Sequence, residues 1–134
     1  MSERSIDWLR QAEADLKHAR NSIELGDFEW ACFTAQQSAE KGLKAVYEKM
    51  NMKAKGHSIL GLLKGLSNYY NISEKFYSYG RILSRYYIEA RYPNGFPEGA
   101  PIDYFDENMA KEAVNASDEI LKWCKDIICR WKKT

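Results

Sequence analysis

Apolar residues recur along this chain at steps of three and four, and nowhere do they alternate long enough to require a strand. Ile6, Leu9, Ala12, Leu16, Ala19 and Ile23 make one stripe and predict a first helix from about Ser5 to Leu25. Gly26 supplies its stop, and Asp27 is placed to cap the next helix by accepting a backbone N–H. The second helix, about Asp27 to Met50, is expected to bury Phe28, Ala31, Cys32, Ala35, Ala39, Leu43, Val46 and Met50. Its small residues Ala31, Ala35, Ala39 and Gly42 would let another helix approach closely. A short basic link, Asn51 to Gly56, leads to a third helix after His57-Ser58, with Ile59, Leu62, Leu63 and Leu66 facing inward.

Asn68 to Asn71 reads as a turn, after which Ser73 caps a fourth helix reaching about Arg91 through Phe76, Ile82, Leu83, Tyr86 and Ala90. Proline is absent until Pro93 and then appears at 93, 97 and 101, so Tyr92 to Pro101 cannot continue a helix. Asp106 opens a last helix, whose stripe is Ala110, Ala113, Val114, Ser117, Ile120, Leu121, Cys124, Ile128 and Trp131. Short links between the first four helices favour antiparallel neighbours. The expectation is an all-α, up-down bundle of four to five helices, with residues 1–134 in a single domain.

Composition narrows the class of function. With 45% apolar and 29% charged residues the chain has the makeup of a folded globular domain. A net charge of +1 argues against a uniformly basic nucleic-acid binder but leaves room for a local basic patch. The three cysteines form no C-x-x-C pair, which argues against a disulfide framework and for a reducing compartment. No stretch is apolar enough to span a membrane, and a cytoplasmic location is expected.

Few residues offer chemistry. Asp15-x-x-His18 would put a carboxylate and an imidazole on one helix face, but the motif does not recur, so no metal site is expected. Dinucleotide, P-loop and zinc-hydrolase signatures are absent, and no cofactor is implied. His57, at the head of the third helix, could contact a nucleotide where backbone N–H groups favour anions, or could join two helices as a polar cap. Lys41 and Lys44 share a face that would suit a phosphate, unless Lys44 is spent on an i,i+4 pair with Glu40.

Eight of the nine tyrosines lie between Tyr69 and Tyr104, with Arg81, Arg85 and Arg91 among them. Aromatic faces stack on bases and guanidinium groups bind phosphates, so this mixture suits a nucleotide or single-stranded RNA. Tyr and Arg are also enriched at protein interfaces, so a dimer contact fits the same residues. Tyr87 and Arg91, one helical turn apart, should project together.

Taken in order, Trp8-Leu9-x-x-Ala12, Asp15-Leu16, the run Ala35 to Ala45, His57-Ser58-Ile59 and Ala90-Arg91-Tyr92-Pro93 resemble a HEPN domain. This is the small helical domain often found beside minimal nucleotidyltransferases in prokaryotes. The resemblance covers nearly the whole chain. It implies a bundle that forms a homodimer and works with a minimal nucleotidyltransferase partner, often as a toxin–antitoxin pair. Many members are metal-independent ribonucleases that use an arginine followed four to six residues later by a histidine. Here neither His18 nor His57 has an arginine at that spacing, and Arg85 is followed at a suitable distance by Arg91 instead. Arginine cannot act as a base near neutral pH. The resemblance therefore implies a nucleotide- or RNA-binding module with no assigned catalytic residue. Arg91 and Tyr92 are its leading contacts, and Arg85, Tyr87, Lys44 and His57 its further candidates. A residual ribonuclease and a purely structural dimer are the alternatives.

Overall fold

The computed structural model describes residues 3–131 and contains five α-helices: α1 (Ser5–Glu24), α2 (Phe28–Lys49), α3 (Ile59–Leu66), α4 (Glu74–Glu89) and α5 (Glu107–Cys129). No strand occurs among the described residues, and none of their helices is long and apolar enough to cross a membrane. The fold is all-α, as the spacing of apolar positions predicts.

α1 and α2 form a hairpin because Gly26, at φ +79°, takes the left-handed turn that ends α1 at no steric cost. Asp27 occupies the N-cap position of α2, but its side chain accepts no capping hydrogen bond, contrary to the expectation. The two caps expected downstream are made: Ser73 Oγ accepts from the Phe76 N–H at 3.1 Å, and Asp106 Oδ1 from the Met109 N–H at 2.8 Å. Asn51, at φ +56°, takes the left-handed conformation just beyond α2.

α2 is the central helix and touches the other four. This explains why it is buried on more than one face, with Gln36, Ser38 and Glu40 as well as its alanines out of solvent. The small-residue expectation holds: Ala31, Ala35, Ala39 and Gly42 are buried, and a Cβ built on Gly42 would lie 2.9 Å from Leu121 Cδ1. Leu43, Val46, Ile59, Leu63, Leu66, Leu83 and Ile120 fill the core. Two predicted stripe ends lie outside it, Ile6 at 54% exposed and Trp131 at 39%, because periodicity carries past the point where a neighbouring helix covers the face.

α4 stops at Glu89, slightly before the expected end, with Ala90 as its C-cap. The proline segment that follows is not α-helical but makes two short 3₁₀ turns, Pro93–Gly95 and Pro101–Asp103, each opened by a proline. Far from being an open loop, it is knitted to itself. Phe96 stacks on Tyr104 at 4.1 Å between ring centres, the Tyr104 hydroxyl donates to the Glu98 carbonyl, and Asp103 Oδ2 accepts from the Ala100 N–H at 2.9 Å. All three cysteines are free thiols, with Cys32 and Cys124 buried and Cys129 exposed.

Candidate functional site

The packing of α4 on α2 brings Tyr87 and Arg91 against Phe33. Arg91 lies just beyond the α4 cap, where carbonyl groups of the last turn lack helical partners. Its Nε donates to the Tyr87 carbonyl at 2.8 Å, and its Nη2 donates to the same oxygen. The guanidinium carbon sits 4.3 Å from the Phe33 ring centre, 4.7 Å from that of Tyr87 and 5.0 Å from that of Tyr92. Three aromatic rings and one carbonyl thus fix the cation, and its Nη1 has no protein acceptor among the described residues. Cation–π contacts of this kind contribute about 0.5–2 kcal/mol each.

His57 stacks on the same tyrosine, with ring centres 4.1 Å apart and planes within 11°. Its Nδ1 lies 3.1 Å from both carboxylate oxygens of Glu40, so Nδ1 carries the hydrogen of this bond and Nε2 remains without a protein partner among the described residues. Glu40 is only 5% exposed and also accepts from Lys44 Nζ at 2.9 Å and from Gln36 Nε2 at 3.0 Å. Burial alone would raise the Glu40 pKa, but donation by Lys44, Gln36 and His57 together with the Lys44 charge outweighs it, holding the carboxyl below its ordinary value. Gln36 Nε2 donates a second bond, to the His57 carbonyl at 3.0 Å, so the α2–α3 link is tied to α2 at both ring and backbone.

Four of the residues singled out in the sequence therefore meet: Lys44, His57, Tyr87 and Arg91 form one line through Glu40, with Tyr92 beside Arg91 and 47% exposed. His57 serves as the structural tie between α2 and the link to α3, with its Nε2 left without a protein partner among the described residues. Lys44 is held by Glu40, and Lys41 Nζ is bound to Asp15 at 2.6 Å, so the two lysines do not form a bare phosphate clamp. Arg85 is exposed and shares no hydrogen bond or ring contact with the cluster. Arg81 pairs instead with Glu74 at 3.1 Å.

The tyrosines likewise divide. Tyr70 packs edge-on to Trp123, Tyr79 donates to Glu119, and Tyr86 is buried against Phe105 with its phenol pushed up to about 12 by burial. Only Tyr87 and Tyr92 join Arg91.

Sequence reasoning missed Phe33, Gln36 and Gln37 as parts of this site. The adjacent glutamines within a run of small and apolar α2 residues were the available signal, since buried amides need partners. No group of three or more His, Cys, Asp or Glu side chains suited to a metal occurs among the described residues. Chemically, the cluster offers a fixed cation with free donors, an exposed aromatic face at Tyr92, and an imidazole whose Nε2 is available.

Comparison with known proteins places the chain in a family. The HEPN domain model matches residues 5–127. TT1696 from Thermus thermophilus is 38% identical over 93% of this chain and 98% of its own, and superposes with a TM-score of 0.90. ST0689, an archaeal HEPN homologue, is 37% identical over 95% and 99% of the two chains, with a TM-score of 0.81. An HEPN domain protein of Thermotoga maritima, tm0613, is 31% identical over 93% and 99%, with a TM-score of 0.77. No curated protein matches the chain. On the extent of the family match and the identity of these structures, the chain belongs to the HEPN domain family.

Proposed function

We propose that this HEPN domain binds the phosphate of a nucleotide or single-stranded RNA at Arg91, as a homodimeric module acting with a minimal nucleotidyltransferase, in a toxin–antitoxin pair. The observation that carries the binding reading is the Arg91 guanidinium: aromatic rings and the Tyr87 carbonyl hold it in place, and Nη1 stays free to donate to an oxyanion. A cation immobilised before binding loses less side-chain entropy when the phosphate arrives than a free surface lysine does. The dimer and the partner rest on family resemblance, and the exposed Tyr92 and Ile88 near Arg91 suit either a base or a protein contact.

Titration calorimetry of a short single-stranded RNA into wild type and Arg91→Ala tests the reading. Affinity should fall about tenfold in the variant, in keeping with the loss of a charged hydrogen bond, while circular dichroism stays helical. Equal affinity in the two proteins removes Arg91 from the account.

One observation favours a second reading, a metal-independent ribonuclease. Arg91 and His57, from separate segments, each pack on the Tyr87 ring, and Glu40 fixes the His57 tautomer that leaves Nε2 without a hydrogen. Nε2 would take the 2′-hydroxyl proton as that oxygen attacks phosphorus and the 5′-oxygen departs with a proton from water, Arg91 balancing the phosphorane charge. RNA cleavage by the purified chain, lost in His57→Ala, would establish it; an inert, well-folded protein rules it out.

A further inference from the structure

Phe33 has a second face. Beyond the face that Arg91 covers, it lines a shallow groove of about 260 Å³ between α1 and α2, together with Trp30, Thr34, Gln37, Asp15, His18 and Lys41. Trp30 stands 50% exposed, an unusual position for the largest apolar side chain, and meets Phe33 edge-on at 6.0 Å. The groove has room for a flat ring beside the indole, and Phe33 borders both it and the Arg91 cation.

The polar lining is also fixed. Gln36 Nε2 spends its hydrogens on Glu40 and the His57 carbonyl, so Gln36 Oε1 must accept, and Gln37 Nε2 donates to it at 2.8 Å. That leaves Gln37 Oε1 as an acceptor and the second Gln37 Nε2 hydrogen as a donor, both without a protein partner among the described residues. Across the groove, Lys41 is neutralised by Asp15 at 2.6 Å. Such a lining suits a flat, uncharged ring with hydrogen-bonding groups at its edge.

From these observations we infer that the Trp30 groove is a nucleobase subsite: the base stacks on Trp30 and hydrogen-bonds the Gln37 amide, while the phosphate of the same nucleotide sits on Arg91. This rests on the phosphate-binding reading of Arg91, and it adds a base contact to that reading.

The test is calorimetry on the full chain with AMP and with ribose 5-phosphate, which carries the phosphate but no base. Wild type should bind AMP more tightly than ribose 5-phosphate. Trp30→Ala should lower AMP affinity about tenfold, the scale of a lost base–aromatic stack, without changing affinity for ribose 5-phosphate. Trp30→Phe, which keeps a stacking face, should retain most of the AMP preference. Gln37→Ala should weaken AMP and leave ribose 5-phosphate unchanged. If AMP and ribose 5-phosphate bind equally and both depend on Arg91, the base subsite is wrong and the phosphate site stands. If neither binds, both fall.

Discussion

Replacing Glu40 by glutamine probes the polar line that supports the site. The change keeps the shape of the side chain and one acceptor, enough for Gln36 Nε2. It also turns an amide N–H₂ toward Lys44 Nζ or His57 Nδ1, which now approach donor to donor. Breaking a buried ion pair by removing one partner costs about 3–5 kcal/mol. The full cost does not apply here, because the His57 side chain is 50% exposed and regains water when released, whereas Lys44 is 15% exposed and regains less. The expected loss is therefore about 2–3 kcal/mol at neutral pH, with Tm lower by about 6–10 °C for a domain of this size.

The sign of the pH dependence follows from the depressed Glu40 pKa. Its folded value lies below the unfolded one, so its stabilisation is complete above the ordinary glutamate value of about 4.3 and is lost as pH falls below that, through the lowered folded value. Chemical denaturation of the two proteins should show a gap that is wide near neutrality and closes as the pH falls below the ordinary glutamate range. Equal midpoints at pH 7, or a gap of constant size down to acid pH, would refute the assignment of Glu40 as a charged, buried acceptor.

Two further substitutions test the packing. A Cβ added at Gly80 of α4 would stand 3.1 Å from the Leu60 backbone N and Cα, so Gly80→Ala should destabilise by about 1–2 kcal/mol although alanine is the better helix former; a raised denaturation midpoint would mean that α3 and α4 are not so close. Ser117 of α5 is fully buried and its hydroxyl finds no partner among the described residues, so Ser117→Ala should raise stability by about 1 kcal/mol, read in the same denaturation assay, and a clear loss would point to a hydrogen bond that the packing conceals.

What the chain discloses before folding is set by how local each interaction is. Helix stripes, the proline segment, the Ser73 and Asp106 caps and the Gly26 turn all depend on neighbours within a few residues, and each is readable from spacing. Asp27 shows the limit of that reading, since a residue of the right type at the right place makes no capping bond. The Tyr87–Arg91 pairing was likewise readable, being one helical turn in length.

The rest of the site was not, because it depends on tertiary approach. Phe33 reaches Arg91 only through the packing of α2 on α4, and His57 reaches Tyr87 only because Gln36 and Glu40 hold the α2–α3 link. Composition grouped Arg81 and Arg85 with Arg91, but α4 sends Arg81 to Glu74 and leaves Arg85 in solvent. Arg91 and His57 come from two segments and share only the Tyr87 ring, an approach that spacing within one segment does not reveal.

The central claim is that Arg91, held by Phe33, Tyr87 and Tyr92, is where a nucleotide phosphate binds. Its most direct test is NMR of the folded chain, following the arginine side-chain Nε–H and the histidine ring resonances during titration with a short single-stranded RNA. The Arg91 Nε–H and the His57 ring should shift together and saturate at one affinity, while Arg81, paired with Glu74, stays in place. Saturable binding that leaves Arg91 and His57 unmoved would contradict it.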